Sequence, residues 1–119
     1  MEKERKYALL IDADNVSPRY INLILRETKA LGTVSIRRIY GDWTDNAKNT
    51  WKESLLENSV TPIQQYSYTM GKNASDSAMI IDAMDILYTR DVDGFVIVSS
   101  DSDFTTVSYT HLRAHETSL

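Results

Sequence analysis

Two apolar runs in this chain end on acids. Residues 9–11, Leu-Leu-Ile, lead into Asp12, Asp14 and Asn15; residues 94–98 lead through Ser99 and Ser100 into Asp101 and Asp103. A further acid, Asp76, follows the glycine-containing loop "MGKNA". Carboxylates gathered within a few ångströms either raise one another's pKa or recruit a cation. Hard oxygen donors of this kind suit Mg²⁺ or Mn²⁺. One or two such ions activate a water and stabilise the charge that builds on a phosphodiester under attack. Asp12, Asp76, Asp101 and Asp103 are therefore the candidate metal ligands. Asn15 is the polar neighbour placed to orient a metal-bound water or the scissile phosphate. Lys72, beside Gly71 and just ahead of a helix, suits a phosphate, and Asn73 either assists it or shapes the turn. The rest of a P-loop is missing, so a nucleoside-triphosphate site has no support. Trp43, in the loop "GDWTD", can stack on a base of a single strand, and Ser100 joins the substrate-binding set. Taken singly, most of these acids read as turn or helix-cap residues. The repeated ending, "DADN" and then "DSD", gives them joint meaning.

For the acids to meet, the chain must bring separate segments to one edge. Residues 7–12 form a continuous apolar run, the pattern of a strand covered on both faces. Residues 17–32 predict a helix with Ser17 as cap, Pro18 in its first position and Gly32 at its end. Its apolar side is Ile21, Ile24, Leu25 and Leu31. Residues 34–41 predict a second strand and 46–59 a helix with Trp51, Leu55 and Leu56 inward. Residues 61–69 predict a polar edge strand opened by Pro62. Residues 75–90 predict a helix apolar around much of its girth, with Ala78, Met79, Ile81, Ala83, Met84, Ile86 and Leu87. Within it Asp82 sits where solvent is scarce, as a hydrogen-bonded structural acid or the partner of Lys72 or Arg38, whereas Asp85 is placed on the surface. Residues 94–100 predict a fourth buried strand. Strand and helix alternate throughout, the signature of a parallel sheet with helices on both faces. Such sheets bind ligands at the carboxyl ends of their strands, where strand order reverses. Asp12, Asp101 and Asp103 converge there if the first and fourth strands are neighbours, and Asp76 opens toward the same rim.

With 119 residues the chain is the size of one domain. It has no cysteine, which excludes disulfides, thiolate metal sites and cysteine nucleophiles and suits a reducing cytoplasm. The apolar run near the start is too short for a signal peptide or membrane span. Net charge is −4, with a pI near 5.1, so a broad basic nucleic-acid face is not expected. An acidic pocket loaded with divalent cations accommodates a polyanion nonetheless.

Four stretches in order, "IDADN", "RIYGDW", "PIQQYSYTMGKNASDSAMIIDAMDILY" and "GFVIVSSDSDFT", resemble the NYN domain family, in its LabA-like, bacterial branch, over about residues 7–106. The resemblance implies a PIN-like, Rossmann-like α/β/α three-layer sandwich with a central parallel sheet. It also implies metal-dependent endoribonuclease activity on RNA, with Mg²⁺ or Mn²⁺ at positions matching Asp12, Asp76, Asp101 and Asp103 and with Asn15 alongside. Single-stranded RNA is the expected partner, a homodimer is compatible, and bacterial members often carry a C-terminal RNA-binding module that is absent from these residues. The family's last helix and strand are expected to be missing. Residues 1–106 are taken as the domain and 107–119 as a non-native tail, because "SYTHLRAHET" resembles a translated sequencing adaptor. Two other readings stand beside this one. In a haloacid-dehalogenase-type phosphatase, Asp12 is the nucleophile and Asp14 the general acid. In a non-catalytic RNA-binding regulatory module, the fold turns over nothing.

Overall fold

The computed structural model describes residues 4–14, 16–65, 74–89, 91–99 and 106–109, and for 74–77 and 106–109 the backbone alone. Strand β1 (Lys6–Asp12) is buried from its second residue to its last, as its unbroken apolar run requires. It lies between β2 (Thr33–Gly41) and β4 (Gly94–Val98), parallel to both. Strand β3 (Thr61–Gln64) adds to β2, and the sheet order is β3-β2-β1-β4-β5. The first four strands are parallel, the expected α/β sandwich, and β3 is the edge strand that Pro62 announced.

After β1, Ser17 accepts a hydrogen bond from the Arg19 amide and opens a three-ten turn, Pro18–Tyr20. Helix α1 (Ile21–Lys29) follows, and its buried residues Ile21, Ile24, Leu25 and Thr28 recur at one-face helical spacing. Leu31 falls beyond the helix end and is 42% exposed, contrary to the sequence expectation. Gly32 is not a left-handed cap, since no glycine has positive φ among the described residues. It is needed for space: a Cβ there would stand 2.5 Å from the Arg5 carbonyl oxygen.

The predicted second helix is a three-ten turn, Asn46–Trp51, that continues into α2 (Lys52–Asn58). Trp51 and Leu55 are buried, but Leu56 is 84% exposed. Adjacent helical residues point about 100° apart; Leu55 takes the side of α2 that meets the core and Leu56 the side that meets solvent. Helix α2 ends on Ser59, at φ 56° and ψ 44°, the one described non-glycine residue with positive φ. Glycine adopts that conformation without the Cβ clash. Ser59→Gly is expected to stabilise the fold by about 0.5–1 kcal/mol, read as a higher urea midpoint at unchanged m-value.

Helix α3 (Ala74–Thr89) covers the other face of the sheet. Met79 and Ile86 are buried, with Ala78, Ala83 and Leu87 partly so. Ile81 and Met84, expected inside, are exposed together with Ile80 and Tyr88. The helix touches the sheet along one side only, and composition cannot say which.

Register assigns the faces. Tyr7, Leu9 and Ile11 pack with α1 and α2, whereas Ala8 and Leu10 pack with α3. A register shift at Tyr7/Ala8 leaves Ser35 as the extra residue in β2. Strand β4 is shorter than predicted. Beyond it β5 (Thr106–Tyr109) runs antiparallel along its outer side. The sequence reading assigned no strand there; the unpaired backbone of β4 gives such a short, β-branched segment its reason to pair. No helix among the described residues is long and apolar enough to cross a membrane.

Candidate active site

The chain leaves β1 for β2 on one side and, after β3 and α3, returns to β4 on the other. Strand order therefore reverses between β1 and β4, and the carboxyl ends of these two strands bound a crevice. Asp12 closes β1 at that point. By the alternation of the strand it falls on the α3 side, level with Tyr40. Its side chain is wholly buried. Oδ1 accepts from the Asp14 backbone N–H at 3.0 Å, and Oδ2 accepts from the Ser99 hydroxyl at 3.3 Å. A carboxylate that is removed from water and fixed at both oxygens is oriented for a ligand, and its hard donors fit Mg²⁺ or Mn²⁺.

Ser99 was not singled out in the sequence. It follows β4 directly, and Ile11 pairs with Val98, so the hydroxyl reaches the end of β1 across the strand pair. Asp76 is the third residue of α3, the helix on Asp12's side of the sheet; its side chain lies outside the described residues. Asn15, Lys72, Asn73, Ser100, Asp101 and Asp103 lie outside them too. Among the described residues no group of three or more acids and histidines is set to hold a metal.

Lys48 is a second residue the sequence reading passed over. Its side chain is only 14% exposed, and Nζ lies 2.8 Å from Asp14 Oδ1 and 3.8 Å from Asp45 Oδ2. Its stem fits over Gly41: a Cβ on Gly41 would meet the Ala13 Cβ at 3.0 Å and the Lys48 Cε at 3.4 Å. The ammonium thus ties Asp14, whose own amide holds Asp12. The sequence signal was available, because a lysine in the opening turn of a helical segment sits at the wrong end of the dipole and calls for a nearby anion. Should Asp12 hold a divalent cation, Lys48→Met is expected to weaken Mn²⁺ binding several-fold to about tenfold with a small loss of stability, as read by calorimetric titration beside thermal melting. Unchanged affinity would make the ion pair purely structural.

Trp43 stands at the carboxyl end of β2 but is tied to β3. Its indole N–H donates to the Ile63 carbonyl at 3.0 Å, its backbone N–H donates to Gln64 Oε1 at 3.1 Å, and it packs against the α1/α2-side core. Beside it, Asp42 Oδ1 accepts from the Thr44 hydroxyl at 2.5 Å, the Gln64 amide at 2.9 Å and the Thr44 N–H at 3.1 Å. The Thr44 hydroxyl first, then the Gln64 amide, hold the Asp42 carboxyl below its usual value. The loop's hydrogen bonds therefore favour the ionised form and weaken as pH falls below about 3.8.

Asp82, half-buried on α3, resolves into one of its expected roles. Its Oδ2 accepts from the Tyr40 phenol at 2.7 Å and from Arg38 at 3.2 Å. Burial first, then the bond to Asp82, push the Tyr40 phenol well above its ordinary value, so it remains a donor across the physiological range. This clasp joins α3 to β2 and fixes the helix on whose first turn Asp76 lies. Asp85 is exposed, as expected.

The model of the NYN domain matches residues 6–117 of the chain. No curated protein and no solved structure shows significant similarity to it. NYN domains are PIN-like nucleases, and a parallel sheet whose first strand ends on a buried aspartate at the point of strand reversal agrees with that family. With the match spanning nearly its whole length, the chain belongs to the NYN domain family.

Proposed function

We propose that the chain is a metal-dependent endoribonuclease that hydrolyses phosphodiesters of single-stranded RNA. The observation that carries the reading is Asp12, a fully buried carboxylate oriented by Ser99 and the Asp14 amide at the junction of β1 and β4. Asp12 holds the cation, with Asp76, Asp101 and Asp103 completing its oxygen shell from α3 and from the segment after β4. Asn15 orients the attacking water or the scissile phosphate. Lys72, Asn73 and Ser100 bind the substrate, and Trp43, at the carboxyl end of β2, stacks on a base of the RNA strand. A divalent ion bound there supplies an activated water and neutralises the charge gathering on the phosphate. The engagement of Asp14 with Lys48 counts against the phosphatase reading, in which Asp14 would be the general acid.

The test is metal removal. Labelled single-stranded RNA incubated with the chain is expected to be cut internally in Mn²⁺ or Mg²⁺, to stay intact in EDTA, and to be cut again when Mn²⁺ is restored. Equal cleavage with and without EDTA would end the metal mechanism. Metal-replete protein that binds RNA and leaves it whole would make the domain a binding module.

A further inference from the structure

Two grooves among the described residues are lined without Asp12. One, of about 470 Å³, lies between α1 and the end of α2 and is lined by Asn22, Arg26, Lys29, Arg37, Glu57 and Ser59 among others. The second, of about 370 Å³, shares Arg37 and Ser59 with it and continues past Ser35 and Arg38 to Thr61. It follows the part of β2 that β3 leaves uncovered, since β3 pairs only with residues 38–41. The larger groove gathers three cations and one anion, in a chain whose net charge is −4. Its cations come from two elements. Arg26 and Lys29 stand on the last turn of α1, and neither side chain has a partner among the described residues. Arg37 reaches across from β2, where one of its nitrogens donates to the Asn58 carbonyl at 2.9 Å. That bond fixes the guanidinium, which has further N–H donors. Ser59, in its left-handed conformation, sits where the two grooves meet.

Three cations brought together without enough carboxylate to neutralise them attract an anion, and a guanidinium held in place suits the oxygens of a phosphate. The space is that of a small-ligand site, larger than a lone phosphate needs, and Asn22, Leu25, Glu57, Asn58 and Ser59 form its other walls. We infer that this groove is a second binding site, on the α1/α2 face and away from Asp12, for a phosphorylated ligand of nucleotide size. Arg26, Lys29 and Arg37 hold the phosphate, and Asn22 and Glu57 meet the ribose or base. The ligand is either a free nucleotide or a nucleotide of an RNA strand. Only the second source rests on the nuclease reading.

Binding of labelled single-stranded RNA and of AMP is measured in EDTA, so that cleavage plays no part. The Arg26→Ala/Lys29→Ala chain is expected to bind about tenfold more weakly, with a salt slope for RNA shallower by about 0.7 for each phosphate no longer neutralised. Glu57→Gln is expected to tighten binding. AMP bound as tightly as RNA assigns the site to the free nucleotide; RNA bound much more tightly assigns it to the strand. A double variant that binds both probes like the wild type, or that loses no more than an exposed Lys52→Ala control, overturns the site. So does displacement by inorganic phosphate equal to that by AMP. RNA held in EDTA but uncut when Mn²⁺ is added back refutes the nuclease and leaves this site standing, whereas normal cleavage with an inert groove does the opposite.

Discussion

Asp12→Asn is expected to lower RNA cleavage by about 10²–10⁴-fold while the protein stays folded. The magnitude follows from what the carboxylate would hold: a bound cation contributes several kcal/mol of charge stabilisation in the transition state, and each step of about 1.4 kcal/mol is tenfold in rate. Folding survives because the asparagine is isosteric. Its carbonyl oxygen can still accept the Asp14 amide, and its NH₂ can donate to the Ser99 oxygen in place of the present bond. Removing a fully buried charge is itself neutral or stabilising when its neighbours remain satisfied. Melting temperature at or above wild type, together with lost Mn²⁺ binding and lost cleavage, is the expected set. Cleavage within about threefold of wild type would take Asp12 out of the mechanism.

Trp51→Ala is expected to cost about 3–5 kcal/mol, the largest stability loss foreseen from one side-chain truncation. Trp51 is buried in the α1/α2-side core and is the hinge residue between the three-ten turn Asn46–Trp51 and α2. A drop in melting temperature of roughly 10–20 °C follows for a chain of this size. The loss extends to the site, because the same turn carries Lys48 and with it the tether on Asp14. Trp51→Phe refills much of the space and should recover most of both effects. A small shift for Trp51→Ala would mean that the turn is held by something other than this side chain.

The architecture was legible because its signals are local. The run from Tyr7 to Ile11 has no polar interruption, so a doubly covered strand was the reading, and Asp12 at its end followed from counting. Ser17 with Pro18 marked a helix start that the structure keeps, although the first turn is three-ten. What the sequence hid was set by partners far away. The exposure of Leu56 and Ile81 depends on which side of each helix meets the sheet. The links of Lys48 to Asp14 and of Ser99 to Asp12 cross 34 and 87 positions. Gly32 carried a misleading signal: its value is close approach to the Arg5 carbonyl, not a left-handed turn. Ser59 carried none, because a serine gives no sign that its backbone will be left-handed.

The bond between Ser99 and Asp12 also sets an order of events in synthesis. Residues 87 positions apart meet only after a long loop has closed, the slow kind of encounter in folding. Strand β4 reaches β1 late, after three strands and three helices have left the ribosome. Until then Asp12 lacks its bond from Ser99 and the crevice has one wall. On the proposed reading, the site that Asp12 anchors is therefore completed only once β4 has been made.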